Sequence, residues 1–272
     1  MKHPKSSNLS SNLRYFRRLW AFSILVLTFW SVSLAQVPLE KGALAFTYRL
    51  QRAEGTNASA VAYIPGPNVY ITVVAGNPEF PMEVFDSEGN TVASMAVGID
   101  IRGIWYNPAT NALEGNGPGE SGWFTRPLDA EGVPTGTWTQ LFAGQKQPDE
   151  QSVLSYVTPK KKLVTFYKGS FSFWGRKNQK QKVRYQHGTP GNTNWFIDPT
   201  TAAYTGNDKF PIAVLELNAG QLLYFDLKGK YLGATQLENV DPQITGFRFA
   251  IANGHAFVYD KTTRTWNCFR VF

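Results

Sequence analysis

Apolar and polar positions along this chain follow a short rhythm that recurs. Met82-Glu-Val-Phe85 is an apolar run that ends in Asp86-Ser87-Glu88-Gly89-Asn90. The Asp can bond the backbone of its own turn and the Gly can take φ > 0, so the stretch predicts a strand running into a tight hairpin turn. Leu128-Asp129-Ala130-Glu131-Gly132 repeats the marker 43 residues on, and Phe225-Asp226-Leu227-Lys228-Gly229 repeats it 97 further. Between them, Phe173-Trp174-Gly175-Arg176-Lys177-Asn178 occupies the expected place without the Asp. Tyr259-Asp260-Lys261-Thr262-Thr263 closes the series without the Gly.

A second marker precedes the first. Tyr63-Ile64-Pro65, Tyr106-Asn107-Pro108, Tyr156-Val157-Thr158-Pro159 and Phe196-Ile197-Asp198-Pro199 each end an apolar run in a Pro turn. Tyr63 lies 22 residues before Phe85 and Tyr106 lies 22 before Leu128, although the interval from Phe196 to Phe225 is 29. Periods of roughly 40–50 residues holding several strands each point to propeller blades. An ordinary β-sandwich with similar hairpins is the competing architecture. On the pairs Tyr63/Phe85 and Tyr106/Leu128, residues 57–272 resemble the β-propeller repeat proteins, at the level of fold. No family motif is matched, so no catalytic residue carries over. Exported propellers of this size include lectins, glycan-cleaving enzymes and scaffolds for protein contacts, and fold does not choose among them.

The expected fold is therefore all-β, a single five-bladed β-propeller, with no helix of consequence after residue 35. Blades fall at 57–98, 99–146, 147–190, 191–240 and 241–272 together with 43–50. Val61–Ile64, Val69–Val74, Glu83–Phe85 and Thr91–Val97 are the strands of the first. The last repeat holds only Gly246–Ala252, His255–Tyr259 and Thr265–Val271. Ala43–Leu50 is a strand outside the repeats, so it is expected to complete the last blade and close the ring, which removes two free sheet edges. A divergent sixth blade or an open ring stays open.

Charge changes the picture at the N-terminus. The formal net charge is +7, from 27 Lys and Arg against 20 acids, but five of the cations and none of the acids precede residue 36. The remainder carries only +2. No global basic field remains to hold nucleic acid. Arg14, Arg17 and Arg18, the apolar run Leu19 to Trp30, and Ser33-Leu34-Ala35 read as an export signal, residues 1–35, cleaved before Gln36. The competing reading is an uncleaved anchor over Leu19 to Ala35, which is short for a span. Cleavage leaves a secreted or periplasmic domain, 36–272, a monomer with no stable membrane insertion.

Candidate chemistry is sparse. The lone Cys268, in the last strand, reads as buried packing, with an intermolecular disulfide as the alternative. His187 and His255 are far apart, so no zinc pattern or three-His site is available. Gly119-Glu120-Ser121-Gly122-Trp123 fails as a nucleophile elbow at its last position. Asp86-Ser87-Glu88-Gly89 resembles a fragment of a calcium loop but lacks the later ligands and reads as a turn. Asn57-Ala58-Ser59 is a glycosylation sequon. Lys160–Lys162, and Arg176, Lys177, Lys180, Lys182 and Arg184 after Phe171, Phe173 and Trp174, read as a solvated hairpin tip, with an anionic-polymer site as the alternative.

One constellation emerges from the spacing. Asn57, Asp100 and Glu150 lie six residues before Tyr63, Tyr106 and Tyr156, and Asn192 and Asp241 are nearby equivalents. Each lies on the loop entering the innermost strand of a blade, so in a closed ring they would surround one channel mouth. The expectation is a polar, acid-leaning ring that could hold sugar hydroxyls or Ca²⁺; no other cofactor is expected. Local turn formation is the plainer role for these Asn and Asp. Trp105 and Trp195 are expected in the core, Trp123 and Trp138 on the surface as flat platforms for sugar rings. The chain thus reads as an exported binding module for a glycan or another protein. A carbohydrate-active or lactone-hydrolysing enzyme using acids at the mouth is the alternative, and an envelope-associated structural protein is a third.

Overall fold

A computed structural model describes residues 37–144, 147–167, 170–175, 181–186, 202–216, 219–240 and 247–272. Strands dominate. Helix is limited, among the described residues, to two short 3₁₀ turns, Gly119–Ser121 and Thr158–Lys160, and no described helix is long and apolar enough to cross a membrane.

The first strand, β1, is Lys41–Arg49. The first sheet follows in chain order as β2 (Ala58–Ile64), β3 (Val69–Val74), β4 (Pro81–Asp86) and β5 (Thr91–Ala96). The second has β6 (Gly103–Asn107), β7 (Ala112–Asn116), β8 (Trp123–Pro127) and β9 (Thr139–Phe142). The third has β10 (Ser155–Val157), β11 (Lys162–Tyr167), β12 (Ser170–Gly175) and β13 (Gln181–Gln186). Next come β14 (Ala202–Tyr204), β15 (Ile212–Glu216), β16 (Gln221–Phe225) and β17 (Tyr231–Leu237). The chain ends in β18 (Phe249–Ala252), β19 (His255–Asp260) and β20 (Thr265–Arg270). The last seven strands and β1 form one eight-stranded sheet, ordered β14-β15-β16-β17-β1-β20-β19-β18. Within the sheet, its two halves are joined by a short parallel pairing, Lys41 with Gln236 and Gly42 with Leu237. Each half is itself a four-stranded antiparallel unit, so the arrangement is propeller-like.

The burial of each strand follows its place. Every residue of β3 is buried, as are all but one of β2, because these strands are covered on both faces. The outer strand β5 is exposed or half-buried throughout. Near-continuous apolar runs inside and weak alternation outside are what stacked sheets require. The strands that begin each unit touch in sequence, β2 with β6, β6 with β10, β10 with β14, β14 with β18, and β18 with β2. An apolar cluster fills each seam. Ile71, Met82 and Ile101 lie between the first and second sheets, Trp105, Trp123 and Leu163 between the second and third. Tyr48, Phe85, Phe257 and Trp266 lie between the last unit and the first.

The N-terminal strand pairs as the sequence leads one to expect: β1 runs antiparallel to β20, from Ala43 opposite Arg270 to Arg49 opposite Thr265. It is latched to the first sheet by Glu83 on β4. This carboxylate is fully buried. It accepts the Tyr48 hydroxyl at 2.7 Å, the Gln51 N–H at 3.0 and 3.1 Å and the Arg52 N–H at 3.0 Å. Tyr48 stacks on Phe85 with centroids 4.0 Å apart. From the β19–β20 turn, Arg264 donates to the carbonyls of Gly55 and, at 2.5 Å, Arg52. Sequence-distant strands are thus tied by buried polar bonds as well as by apolar contact.

The Asp turns are real. The Asp86 carboxylate accepts the N–H of Glu88 and of Asn90, each at 2.9 Å, and Asp226 accepts those of Lys228 and Lys230 at 2.7 and 2.9 Å. Asp129 accepts the Val133 N–H at 2.7 Å. These three turns join the third and fourth strands of their sheets. Asp260 differs: its turn joins β19 to β20, the second and third strands of its unit counted from β18. The last marker is therefore one strand out of register with the others. The Tyr markers hold their place in the first three sheets, ending β2, β6 and β10. Tyr63 donates to Asn68 Oδ1 at 2.7 Å and Tyr106 to Asn111 Oδ1 at 2.9 Å, and both Asn residues take positive φ.

Candidate functional site

Asn57, Asp100 and Glu150 each stand on the segment leading into the first strand of a sheet, β2, β6 and β10. A chain of hydrogen bonds joins the three segments. The Asn57 carbonyl accepts the Ala75 N–H at 2.9 Å, and the neighbouring Gly76 N–H donates to Asp100 Oδ1 at 2.8 Å. Arg102 Nη1 donates to the same Asp100 oxygen, and Arg102 Nε donates to Gln151 Oε1 at 2.8 Å. The Glu150 carbonyl in turn accepts the Gly119 N–H at 3.2 Å. The structure so brings these three positions to one end of the sheets. Asn192 and Asp241 lie outside the described residues.

The electrostatics of this rim are not those of a free acidic ring. Asp100 is paired with Arg102, whose side chain is almost fully buried. Arg102 also lies over the Phe247 ring, 5.5 Å from its centroid. Arg102 precedes β6 and Phe247 precedes β18, and both strands flank β2, so this cation–π pair crosses in front of the entry to β2. Glu150 and Asn57 are exposed on either side. Among the described residues, no group of three or more His, Cys, Asp and Glu side chains is placed to hold a metal ion. What the rim presents is a fixed guanidinium–carboxylate pair flanked by one outward carboxylate and one outward amide, suited to hydroxyl and amide groups of a ligand.

The Glu150 segment is held from beneath by Asn116 at the end of β7, a fully buried residue. Its amide donates to the Ser152 carbonyl at 2.8 Å and its oxygen accepts the Leu154 N–H at 3.3 Å. Gln147 donates to the Gly117 carbonyl at 2.9 Å. Sequence reasoning missed Arg102, Asn116 and Gln151, because their roles come from pairing between sheets. The nearest signal was the polar insertion of Asn116 in an otherwise buried strand.

Two surface expectations are corrected. Trp123 is fully buried on β8, its ring edge-on to Phe142 at 5.2 Å. Gly122 before it takes φ 90° against the Phe142 carbonyl, where a Cβ could not fit, so the flanking Gly marks tight strand packing rather than a loop. Trp138 is half-buried and donates to the Val97 carbonyl at 2.6 Å. Trp123 therefore offers no ring face to a sugar. Trp105 is in the core as expected, and Trp195 lies outside the described residues. Phe171 and Phe173 are buried on β12, so they add no stacking surface to the neighbouring basic run. Cys268 is fully buried and its thiol is pushed up by that burial.

No family model matches the chain, and no curated protein matches it. Among solved structures, it is similar to a protein of unknown function from Bacteroides thetaiotaomicron, with a TM-score of 0.52, 10% identity, and coverage of 87% of this chain and 77% of that one. That likeness concerns the fold alone. It is also similar to a gluconolactonase from Xanthomonas campestris, with a TM-score of 0.49 and 11% identity over 89% of this chain and 99% of that one.

Proposed function

We propose that this chain is an exported binding module: a five-bladed propeller, closed by β1, that takes a neutral glycan on the rim carrying Asn57, Asp100 and Glu150. Residues 1–35 serve as the cleaved export signal, leaving the domain in the periplasm or outside the cell. The circuit of contacts through β2, β6, β10, β14 and β18 supports the closed five-part ring. The observation that carries the function is the hydrogen-bonded line from Asn57 through Asp100, Arg102 and Gln151 to Glu150. It holds the backbone of the Asn57, Asp100 and Glu150 segments in place before a ligand arrives, and such preorganisation lowers the entropic cost of binding. Compensation of Asp100 by Arg102 favours an uncharged polyol over a cation. The second copy of such chemistry, a protein loop rich in amides, is the other ligand the rim would accept.

The test is a glycan array probed with the exported protein and with the N57A/E150A double variant. Both side chains are exposed, so the variant is expected to fold normally. The proposal predicts binding to one class of neutral glycan, reduced at least tenfold in the variant. Equal binding by both proteins would remove the rim from the account.

A further inference from the structure

Arg126 on β8 breaks a pattern that the other units keep. The strand pairings carry the Tyr of each first strand across to the third: Tyr63 through Tyr70 to Phe85, Tyr156 through Leu163 to Trp174, and Tyr204 through Ile212 to Phe225. Each of these three steps ends on an aromatic ring packed against an apolar cluster. In the second sheet the same step runs from Tyr106 through Leu113 to Arg126. The fold asks for a ring at this place and finds a guanidinium, which is only 9% exposed. We propose that Arg126 anchors a second binding site, one that takes a single carboxylate group.

The charge argument rests on what Arg126 touches. Its Nε donates to the Thr135 carbonyl at 3.4 Å, Nη1 to the Val97 carbonyl at 3.3 Å, and Nη2 only to the Met95 sulfur at 3.7 Å. A guanidinium carries five N–H donors, and these three contacts leave the others unmatched among the described residues. None of the three acceptors is charged. The ion pairs among the described residues are Arg52 with Glu54 and Arg102 with Asp100, so Arg126 has no counter-ion there. Burial lowers its pKa, and no carboxylate offsets the effect. Arg102, the other deeply buried guanidinium, does have its carboxylate. A buried charge without a partner is costly to a fold that needs only an apolar ring at that step.

The surroundings select the anion. A thioether is a weak acceptor, and Met95 is half-buried on the outer strand β5, which is exposed or half-buried throughout. Its unbranched side chain can swing aside. A carboxylate oxygen in place of the sulfur exchanges a weak contact on Nη2 for a charge-assisted bond. The second oxygen matches the planar fork of the guanidinium, which a point charge such as chloride does not. Trp138 is half-buried beside the site, its indole N–H donating to the same Val97 carbonyl that accepts Nη1. None of these groups belongs to the rim, so the site stands apart from the glycan reading.

Amide NMR of the protein titrated with acetate, glucuronate and N-acetylalanine, at constant ionic strength set by sodium chloride, tests this. These probes present the carboxylate alone, on a sugar and at a peptide end. Acetamide, glucose and N-acetylalaninamide are their uncharged counterparts. At least one carboxylate is expected to shift the amides of residues 95–98 and 133–138 and to bind at least tenfold more tightly than its counterpart. R126M should weaken that binding at least tenfold with an unfolding midpoint no lower than wild type, because the other units carry an apolar side chain at this step. R126K keeps the charge without the fork and should weaken it as well. No saturable binding by any carboxylate, a counterpart that binds as tightly, binding unchanged in R126M, or a lowered R126M midpoint overturns the proposal. Loss in the N57A/E150A variant with R126M unaffected would place the ligand on the rim and likewise overturn it.

Discussion

Glu83→Gln is the most informative single change to the frame. Glu83 is fully buried and joins β4 to the segment that follows β1. Its two oxygens take the Tyr48 hydroxyl and the N–H groups of Gln51 and Arg52 at 2.7–3.1 Å. Glutamine is isosteric but has one oxygen. Its cheaper orientation turns the amide nitrogen toward Tyr48, whose hydroxyl can then accept that proton and donate to Thr91 Oγ1, 3.2 Å away. Even so, every bond loses its charge assistance. Hydrogen bonds to charged groups contribute about 1.5–3 kcal/mol and neutral ones about 0.5–1.5, so each of the bonds loses roughly 1 kcal/mol. The expected cost is about 3 kcal/mol, which for a domain of this size lowers the midpoint by roughly 6–12 °C. Urea unfolding followed by tryptophan fluorescence reads it, with Trp266 in the same seam as the reporter. A loss below about 1 kcal/mol would refute the claim that this carboxylate latches the N-terminal strand.

Three further changes follow from the same geometry. Gly89→Ala places a Cβ 2.5 Å from the Thr47 carbonyl at φ 84°; about 1–2 kcal/mol of backbone strain adds to the clash, and urea titration should show that loss or more, accompanied by faster proteolysis near residue 47. Asn116→Ala leaves the Ser152 carbonyl and Leu154 N–H without their partner, and each such buried group costs about 1–3 kcal/mol; faster amide exchange across 147–154 is expected, with little change in β2–β4. Stability should fall with acid in two stages, read as midpoint against pH. Burial lowers the His255 pKa, an effect partly offset by the Asn253 carbonyl, so its contribution is whole above the unfolded value near 6.5 and is lost as pH falls through the depressed folded value. Burial works to raise the Asp86 carboxyl, but the N–H groups of Asn90, Glu88 and Gly89 and the Asn90 amide outweigh it and hold the group below its ordinary range. Its contribution is present above about pH 3.9 and is lost as pH falls below that. His255→Gln should abolish the upper stage alone.

Local chemistry was readable from the sequence, and chemistry between sheets was not. Asp86, Asp129 and Asp226 act within four residues of themselves, so their turns could be inferred from residue type and spacing. Tyr63 and Tyr106 likewise bond an Asn five residues on. The three-strand last repeat implied a missing strand, and β1 supplies it. Asp260 marks the limit of local chemistry: its turn has the same local form, yet its place among the strands is set by which partner flanks it. Register puts Asn57, Asp100 and Glu150 just before the first strands of three units, but the Arg102 guanidinium paired with Asp100 could not be read, because nothing in the sequence says that residue 102 reaches both residue 151 and residue 247. Trp123 misled for a related reason, since its flanking Gly serves close backbone approach rather than exposure.

The most direct test of the rim is amide hydrogen exchange on the protein, alone and saturated with the strongest ligand from the glycan array. The account predicts added protection centred on residues 98–102 and 147–152, the segments joined by Asp100, Arg102 and Gln151, with the remaining described strands unchanged. Protection confined to other segments, or an array on which no neutral glycan binds, would contradict it.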